Sequence, residues 1–283
     1  MQSLEIKANA KINLALAIKN KRRDGYHNLE LIYQEINFCD YLTLRQSHCI
    51  RFSTNSESLQ DEADNLCVKA ARLLQQKFGI PGLEIILEKR IPVGAGLGGG
   101  SSDAAAVLKG GAELYRLKVS GGQLALLASE LGADVPFFLF GGTAYGKGIG
   151  NILKKIILHS QYYVLLVLPQ IKISTVWAYK NLNLGLTRKN TDDKFRGFRF
   201  HNLELKDFRS EFFNDFEKLV FTNHPQLKMI KSLLYQEGAL FAALSGSGSS
   251  VFGLFPTIST IKNAQRILSK KYRTQQARPI NTY

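Results

Sequence analysis

Cysteine is scarce in this sequence of 283 residues, and its three cysteines, Cys39, Cys49 and Cys67, stand far apart. An odd number of separated cysteines fits neither a disulfide framework nor a CxxC metal or redox motif, so we expect free, partly buried thiols. Apolar runs are short as well. None approaches the roughly 18 residues that a membrane span needs, and the N-terminus lacks the order of a signal peptide. These absences predict a cytoplasmic protein without a membrane anchor.

Acidic residues are also few, since 23 Asp and Glu against 37 Lys and Arg leave a formal charge of +14. A positive surface attracts polyanions, which leaves nucleic acid and small phosphorylated substrates such as nucleotides as the two classes of partner. The basic residues are spread over segments such as 19–23 and 262–278. That scatter favours a solvated basic surface over a nucleic-acid tail.

The apolar pattern predicts an α+β protein with two halves. With 45% hydrophobic residues the chain can bury a full core. Residues 4–18 alternate as one or two strands in which polar Lys11 and Asn13 are embedded, and Asp24-Gly25 marks a turn. Further strands are predicted at 29–38 and 41–44 (split at Cys39-Asp40), 83–87, 162–168, 240–244 and 251–255. Helices are predicted at 66–78, from a serine cap at Ser101 onward, and at 122–131, 213–221, 226–237 and 261–271. A hinge near 150–160 gives domains 1–155 and 156–283.

A glycine-rich loop is the strongest chemical signal. Phosphate oxygens bind consecutive backbone N–H groups at a helix N-terminus, and only small residues allow that approach. Residues 94–102 meet this need. Gly94, Gly96 and Gly99 also satisfy the GxGxxG dinucleotide fingerprint, but a helix carrying Glu113 lies where that motif requires a second strand. The Walker pattern fails because Gly100 takes the place of its lysine. Nucleotide phosphate binding is therefore favoured over a purely structural loop.

Without a Walker lysine, phosphoryl transfer still needs a positive charge near the phosphoryl group and a carboxylate near the accepting hydroxyl. Lys11 is embedded in an apolar strand, where an ammonium is costly unless it is paired or faces a polar cleft. Asp134 follows a helix end, among apolar neighbours. A structural ion pair and a turn-forming aspartate explain these residues equally well.

Two other segments have both a structural and a functional interpretation. Gly246, Ser247 and Gly248 belong to a serine and glycine turn that serves either as a plain hairpin or as an amide-rich wall of an anion site. Tyr26 and His27 follow the Asp24-Gly25 turn, as surface residues or as a pair that stacks on and reads a base. No His, Cys and acid cluster has metal-ligand spacing, so any Mg²⁺ is expected to arrive with ATP.

Three motifs together resemble the GHMP kinase family. They are Ala8-Asn-Ala-Lys-Ile-Asn13, Pro92-Val-Gly-Ala-Gly-Leu-Gly-Gly-Gly-Ser-Ser102 and Leu244-Ser-Gly-Ser-Gly-Ser-Ser-Val-Phe252. Asp24-Gly-Tyr-His27 and Leu131-Gly-Ala-Asp-Val-Pro136 are similar to one branch, whose members phosphorylate the 2-hydroxyl of a cytidine-diphosphate-linked sugar alcohol in the non-mevalonate route to isoprenoids. The similarity runs in the right order over nearly the whole chain.

The resemblance implies a two-domain fold with a ribosomal-protein-S5-like N-terminal domain, a ferredoxin-like α+β C-terminal domain and an active site in the cleft between the halves. Lys11 and Asp134 match the catalytic pair: Asp134 would orient or deprotonate the hydroxyl, and Lys11 would keep Asp134 ionised and neutralise phosphoryl charge. The residues implied in ATP binding are Pro92, Val93, Gly94, Ala95, Gly96, Leu97, Gly98, Gly99, Gly100, Ser101, Ser102 and, by a weaker match, Asn65. The residues implied in substrate binding are Asn13, Tyr26, His27, Thr175 and Tyr179.

Several points stay open at this level. Trp177 competes with Tyr179 for the role of stacking on the base, and Asp103 stands where a small or amide side chain is expected. That carboxylate either caps the helix, facing away from the triphosphate, or lies near its Mg²⁺. The stretch 182–202 matches nothing, and a monomer or weak homodimer is expected. The competing functions are another GHMP-type kinase, acting on homoserine, a mevalonate or a sugar, and an RNA-binding module.

Overall fold

The computed structural model describes residues 2–60, 65–158, 161–182 and 204–281. The chain forms two compact units. Unit 1 consists of Met1–Ala10, Cys39–Val93 and Gly98–Phe140, and unit 2 of Lys11–Phe38, Gly94–Leu97 and Gly141–Tyr283. Within the described ranges, no helix is both long and apolar enough to cross a membrane.

Two long strands, β1 (Ser3–Lys21) and β2 (His27–Gln46), contribute residues to both units. The other elements of unit 1 are β3 (Arg51–Thr54), α1 (Leu66–Phe78), β4 (Leu83–Glu88), α2 (Gly99–Leu114), α3 (Gly121–Leu131) and α4 (Val135–Phe140), with a 3-10 turn at Glu57–Leu59. Here β4 pairs antiparallel with the end of β2 and parallel with β3. The helices cover this sheet and bury an aliphatic core that includes Leu44, Leu74, Ile85 and Val107.

Local signals define the ends of the helices in unit 1. The Asn65 side chain accepts the N–H of Cys67 at the start of α1, and Gly79 ends that helix in the left-handed conformation at φ 67°. Ser120 and Gln123 form a capping box at the start of α3. The predicted helices at 66–78 and 122–131 are therefore confirmed, because their caps are legible in the sequence.

Unit 2 contains the strands β5 (Thr143–Gly148), β6 (Ile152–Lys155), β7 (Tyr163–Leu168), β8 (Phe241–Leu244), β9 (Val251–Phe255) and β10 (Arg273–Ala277). Its helices are α5 (Thr175–Lys180), α6 (Phe208–Glu211), α7 (Phe216–Asn223), α8 (Pro225–Gln236) and α9 (Ile258–Leu268), with a 3-10 turn at Leu205–Asp207. One antiparallel sheet has the order β10-β7-β9-β8. The first half of β2 pairs with β5, which pairs with β6.

The sheet of unit 2 is buried by the helices that pack on it, α8 against β8 and β9 and α9 against β7. Every residue of β8 and β9 is buried, which explains why both strands read as continuous apolar runs. The sequence predictions of α8, β7, β8 and β9 are confirmed to within one residue at each end, whereas α7 and α9 begin about three residues away from the predicted starts.

Two local predictions are wrong. Strand β2 is not split at Cys39-Asp40, because the Asp40 carboxylate accepts the N–H groups of Arg90 and Ile91 and so is satisfied inside the strand. Helix α2 has no serine cap, since it begins at Gly99 with Gly98 as its N-cap and no side-chain cap. Of the three free thiols, Cys39 and Cys67 are buried and Cys49 is exposed. The stretch 182–202 lies outside the described residues except for Leu182.

Candidate functional site

The glycine-rich loop alternates left-handed and ordinary backbone. Gly94, Gly96 and Gly98 have φ angles of 70°, 77° and 71°, a conformation that L side chains rarely adopt. Pro92 and Val93 precede these residues, and Ser101 and Ser102 lie in the first turn of α2. The loop therefore runs directly into a helix N-terminus, where free backbone N–H groups favour an anion.

In unit 2, Gly94–Leu97 lies against the turn that joins β8 to β9. The Ser245 hydroxyl donates to the carbonyl oxygen of Gly96 at 2.8 Å, and the Ser250 N–H donates to that of Ala95 at 3.1 Å. A Cβ at Gly96 would stand 2.1 Å from the carbonyl oxygen of Ser245. Position 96 therefore requires glycine, because the two backbones are in direct contact there.

Lys11 and Asn13 lie on β1 beside these two segments of unit 2. The Lys11 side chain is buried, and its Nζ donates to Asn13 Oδ1 at 2.6 Å and lies 5.5 Å from the centroid of the Tyr33 ring. The Lys11 N–H donates to the carbonyl oxygen of Leu97 at 2.9 Å. A Cβ built on Gly246 would lie 3.7 Å from Lys11 Nζ and 3.4 Å from Asn13 Oδ1. An ammonium group is thus placed beside two glycine-rich segments.

An aromatic pair lies in the same unit. The rings of His27 and Tyr179 stack with centroids 5.1 Å apart and planes at 20°, and Tyr179 meets Phe216 edge to face at 4.9 Å. Trp177 instead makes an edge contact with His224 at 6.2 Å. Tyr26, beside His27 in the chain, is 58% exposed. The geometry therefore favours Tyr179 over Trp177 as the aromatic partner of His27.

His27 and Thr175 each bring a hydrogen-bonding group to this region. Burial, followed by the charge of Lys21, lowers the pKa of His27 below its ordinary value of 6.5. A neutral imidazole has one N–H donor and one nitrogen acceptor, as recognition of a base edge requires. The Thr175 hydroxyl shares a hydrogen bond of 3.0 Å with the hydroxyl of Ser247 in the β8–β9 turn.

Unit 1 holds the remaining candidate residues. Asp134 is half-buried and directly precedes α4, and its carbonyl oxygen accepts the N–H of Phe137. Asn65 is buried as the N-cap of α1, so its side-chain oxygen already has a structural partner. Within the described ranges, no group of three or more His, Cys, Asp or Glu side chains is arranged to hold a metal ion.

A buried ionic cluster in unit 1 was not predicted. The Lys89 ammonium pairs with the carboxylates of Asp40 and Asp103, the latter at 2.8 Å, and all three side chains are nearly inaccessible. Burial, opposed by Lys89 and reinforced by Asp40, raises the pKa of Asp103 to about 7. Burial works to lower the pKa of Lys89, but the two carboxylates raise it above its ordinary value. Cys67 of α1 faces the cluster, and burial raises the pKa of its thiol.

The raised pKa of Asp103 makes a prediction about stability. Because its pKa is about 7 in the folded state against an ordinary value of 3.8, the folded state holds an extra proton between these values. This stabilising contribution is complete below about pH 4 and is lost as the pH rises to about 7. Asp103→Asn abolishes the titration. As the pH rises from about 4 to about 7, the free energy of unfolding of the variant minus that of wild type should therefore increase by up to about 4 kcal/mol.

Urea unfolding of wild type, Asp103→Asn and Glu113→Gln at several pH values measures the effect. Glu113 is an exposed carboxylate on the same helix and is the control. A stability difference between Asp103→Asn and wild type that stays constant with pH would contradict the prediction.

Sequence reasoning missed this cluster, although one signal for it was present. Asp40 is a charged residue with apolar neighbours at positions 38–39 and 41–42, an anomaly like the one that singled out Lys11. Among the predicted residues, Lys11, Asn13, Gly96 and Gly246 are brought together in one part of unit 2, with the aromatic pair in the same unit. Asp103 is paired with Lys89 inside the buried cluster.

Comparison with known proteins identifies the family. Residues 65–142 match the model for the GHMP kinases N terminal domain, and residues 199–274 match that for the GHMP kinases C terminal region. Together these matches cover more than half of the chain. The chain belongs to the GHMP kinase family. The resemblance of its three motifs and the predicted α+β fold class are thereby confirmed.

Individual members of the family extend the match to the whole chain. A 4-diphosphocytidyl-2-C-methyl-D-erythritol kinase from Pelodictyon phaeoclathratiforme is 43% identical over 281 residues, which are 99% of this chain and 98% of the relative. One from Chlorobium chlorochromatii is 44% identical over 96% of this chain and 95% of the relative.

Solved structures agree on the fold. The crystal structure of a 4-(cytidine 5'-diphospho)-2C-methyl-D-erythritol kinase superposes with a TM-score of 0.80 at 31% identity, covering 99% of this chain and 100% of that one. A homoserine kinase from Cytophaga hutchinsonii, at 18% identity, has a TM-score of 0.77 over 99% of this chain and 95% of its own. The second similarity is one of fold alone.

Proposed function

We propose that this chain transfers the γ-phosphoryl group of ATP to the 2-hydroxyl of 4-diphosphocytidyl-2-C-methyl-D-erythritol, giving the 2-phosphate and ADP in the non-mevalonate route to isopentenyl diphosphate. The observation that carries the proposal is the 43% identity, over 99% of the chain, with a kinase of that name. The stacked His27 and Tyr179 rings support a substrate that contains a base.

ATP is assigned to the glycine-rich loop. The loop contains three left-handed glycines, and residues 92–102 lead into the N-terminus of α2, which favours an anion. Asn65, the N-cap of α1, is assigned to the adenosine end. Mg²⁺ is expected to enter bound to the triphosphate, since this ion commonly binds through substrate phosphates with few protein ligands.

Lys11 and Asp134 are assigned to the chemical step. The Lys11 ammonium, held by Asn13, neutralises negative charge that develops on the phosphoryl group. Asp134 orients the accepting hydroxyl or takes its proton. Both assignments follow from the family motifs in which the residues stand.

The acceptor is assigned to residues of unit 2. Tyr179 and Tyr26 offer ring faces to the cytosine, and the neutral His27 imidazole reads its edge. Thr175, Ser247 and Asn13 are assigned to the polar remainder of the substrate. Buried neutral donors and acceptors discriminate strongly between ligands, because a ligand without matching groups leaves them unpaired.

The test is ADP release from Mg·ATP with the cytidylyl compound, run beside homoserine, mevalonate and galactose. Turnover with the cytidylyl compound alone is the expected result. Turnover with another acceptor would keep the phosphate loop and reject the cytidine assignment.

His27→Ala is expected to raise the KM for the cytidylyl substrate by about 10- to 100-fold, because hydrogen bonds and ring contact with the base are lost. The KM for ATP should change little. His48→Ala, which removes an exposed histidine of unit 1, is the control. Initial rates at varied concentrations of each substrate measure the effect, and an unchanged cytidylyl KM in His27→Ala would reject the role of this residue.

The charge of +14 supports the second candidate, an RNA-binding module. Such binding would weaken steeply with salt and would not depend on ATP. A nitrocellulose filter assay with a labelled RNA at increasing salt concentrations, with and without ATP, distinguishes the two functions.

We propose that the kinase acts as a monomer or weak homodimer.

A further inference from the structure

Residues 214–217, with the sequence Asn-Asp-Phe-Glu, lie where the loop after α6 enters α7. Their side chains face several parts of unit 2 at once. The following contacts all lie within that unit.

The first contact is with the β8–β9 turn. The Asn214 side chain is buried, and its Nδ2 donates to the carbonyl oxygens of Leu244 and Gly246 at 2.8 Å each. Its Oδ1 accepts the N–H of Phe216 at 3.0 Å. Glu217 completes the set, because its Oε1 accepts the N–H of Leu244 at 3.0 Å. Both backbone polar groups of Leu244, which leads into the turn, are therefore held by this segment.

The second contact is with β1, the strand that carries Lys11 and Asn13. The Asp215 N–H donates to the carbonyl oxygen of Leu16 at 3.0 Å, and the Asp215 carboxylate accepts the N–H of Ile18 at 2.8 Å. The Leu16 N–H donates to the carbonyl oxygen of Phe213 at 2.8 Å. The segment thus fixes the turn and the strand to each other, and Gly246 is the residue of the turn that approaches Lys11 Nζ.

The third contact is with the aromatic pair. Phe216 is fully buried, and its ring contacts that of Tyr179 edge to face, with centroids 4.9 Å apart. Tyr179 is the residue whose ring stacks on His27. Fixed aromatic geometry of this kind contributes beyond the burial of area. One short segment therefore contacts the surroundings of the ammonium group through Asn214 and the ring pair through Phe216.

We propose that residues 214–217 are a positioning segment for the kinase reaction, in which Asn214 sets the β8–β9 turn beside Lys11 and Phe216 sets the ring of Tyr179 against His27. The proposal rests on the proposed function for its kinetic consequences. Its geometric part is independent of the substrate.

The two residues should have separable kinetic effects. Asn214→Asp removes both donated hydrogen bonds but keeps the acceptor for Phe216, so kcat should fall about 100-fold, the usual cost of a small misplacement of reacting groups. Asn214→Ser is a second, uncharged variant with the same expectation. Phe216→Leu should raise the KM for the cytidylyl substrate about 3- to 10-fold, with kcat within about twofold.

Val220→Ala is the control for lost stability. Val220 is fully buried on the same helix and is the site of a plain cavity mutation. All variants are compared per mole of folded protein, and Val220→Ala should lower Tm while leaving both kinetic constants unchanged. If Val220→Ala reproduced the fall in kcat of the Asn214 variants, the segment would be merely structural and the proposal would be overturned.

A titration of His27 by NMR separates this proposal from the proposed function. Loss of the Phe216 support should loosen the ring of Tyr179 and expose His27, so the His27 pKa should rise toward 6.5 in Phe216→Leu and stay at the wild-type value in Val220→Ala. If wild type does not turn over the cytidylyl compound, the proposed function fails. The titration alone then decides whether residues 214–217 have a positioning role. An unchanged His27 titration in Phe216→Leu would overturn the positioning role.

Discussion

Lys11→Ala and Asp134→Asn are each expected to reduce turnover by about 10³-fold, with the KM for ATP nearly unchanged. Lys11 is buried beside the glycine-rich segments of unit 2, and alanine leaves no positive charge in its place. Asp134→Asn keeps the size of the side chain and removes its negative charge. The loss should therefore appear in kcat, because both roles are assigned to the transition state rather than to binding.

Single-turnover rates with saturating ATP and the cytidylyl substrate measure this loss. Lys19→Ala is the matched control, because Lys19 also lies on β1, is mostly buried and is ion-paired with Glu30 at 3.2 Å. The control should lose stability without losing turnover. Near-normal turnover in Lys11→Ala or in Asp134→Asn would remove that residue from the chemical step.

Gly96→Ala is expected to lower kcat/KM for ATP by about 100-fold or more. The new methyl group would stand 2.1 Å from the carbonyl oxygen of Ser245 and 3.0 Å from that of Gly248, and neither backbone group is a flexible side-chain end. The loop must therefore shift as a whole, and it carries the N–H groups assigned to the phosphates.

Gly94→Ala is the control that separates crowding from backbone strain. Gly94 has nearly the same φ as Gly96, 70° against 77°, but nothing lies within 4 Å of its added Cβ. Gly94→Ala should have only the conformational cost of a left-handed alanine, about 1–2 kcal/mol. This cost corresponds to a fall of roughly tenfold in kcat/KM for ATP. Equal effects at the two positions would show that contact with the β8–β9 turn is unimportant.

Sequence reasoning was most accurate where the determining contacts are local. Helix α1 was predicted with correct ends because Asn65 caps it and Gly79 ends it, and both signals lie within the helix or next to it. The three kinase motifs were recognisable for the same reason, since each is a continuous stretch. Short strands without a strong alternation of apolar and polar residues, such as β6 and β10, were missed.

Residues that act through distant partners could not be predicted from spacing. Asp40 and Lys89 are 49 positions apart, and nothing in either local pattern pairs them. Asn214 and Gly246 are 32 positions apart, and the polar start of α7 looked like an ordinary helix end. The serine cap at Ser101 was wrong because glycine at 98 takes the N-cap position in a left-handed conformation that serves the loop.

The alternation of backbone conformation in the glycine loop also limits how its length can vary. Gly94, Gly96 and Gly98 are left-handed, whereas Ala95 and Leu97 are not, since Arg116 is the only non-glycine residue of the described chain with positive φ. Deleting or inserting one residue shifts the sequence by one position along this loop. Alanine or leucine is then forced into a position with left-handed backbone. The loop therefore tolerates drift in the identity of its intervening residues much better than any change of one in their number.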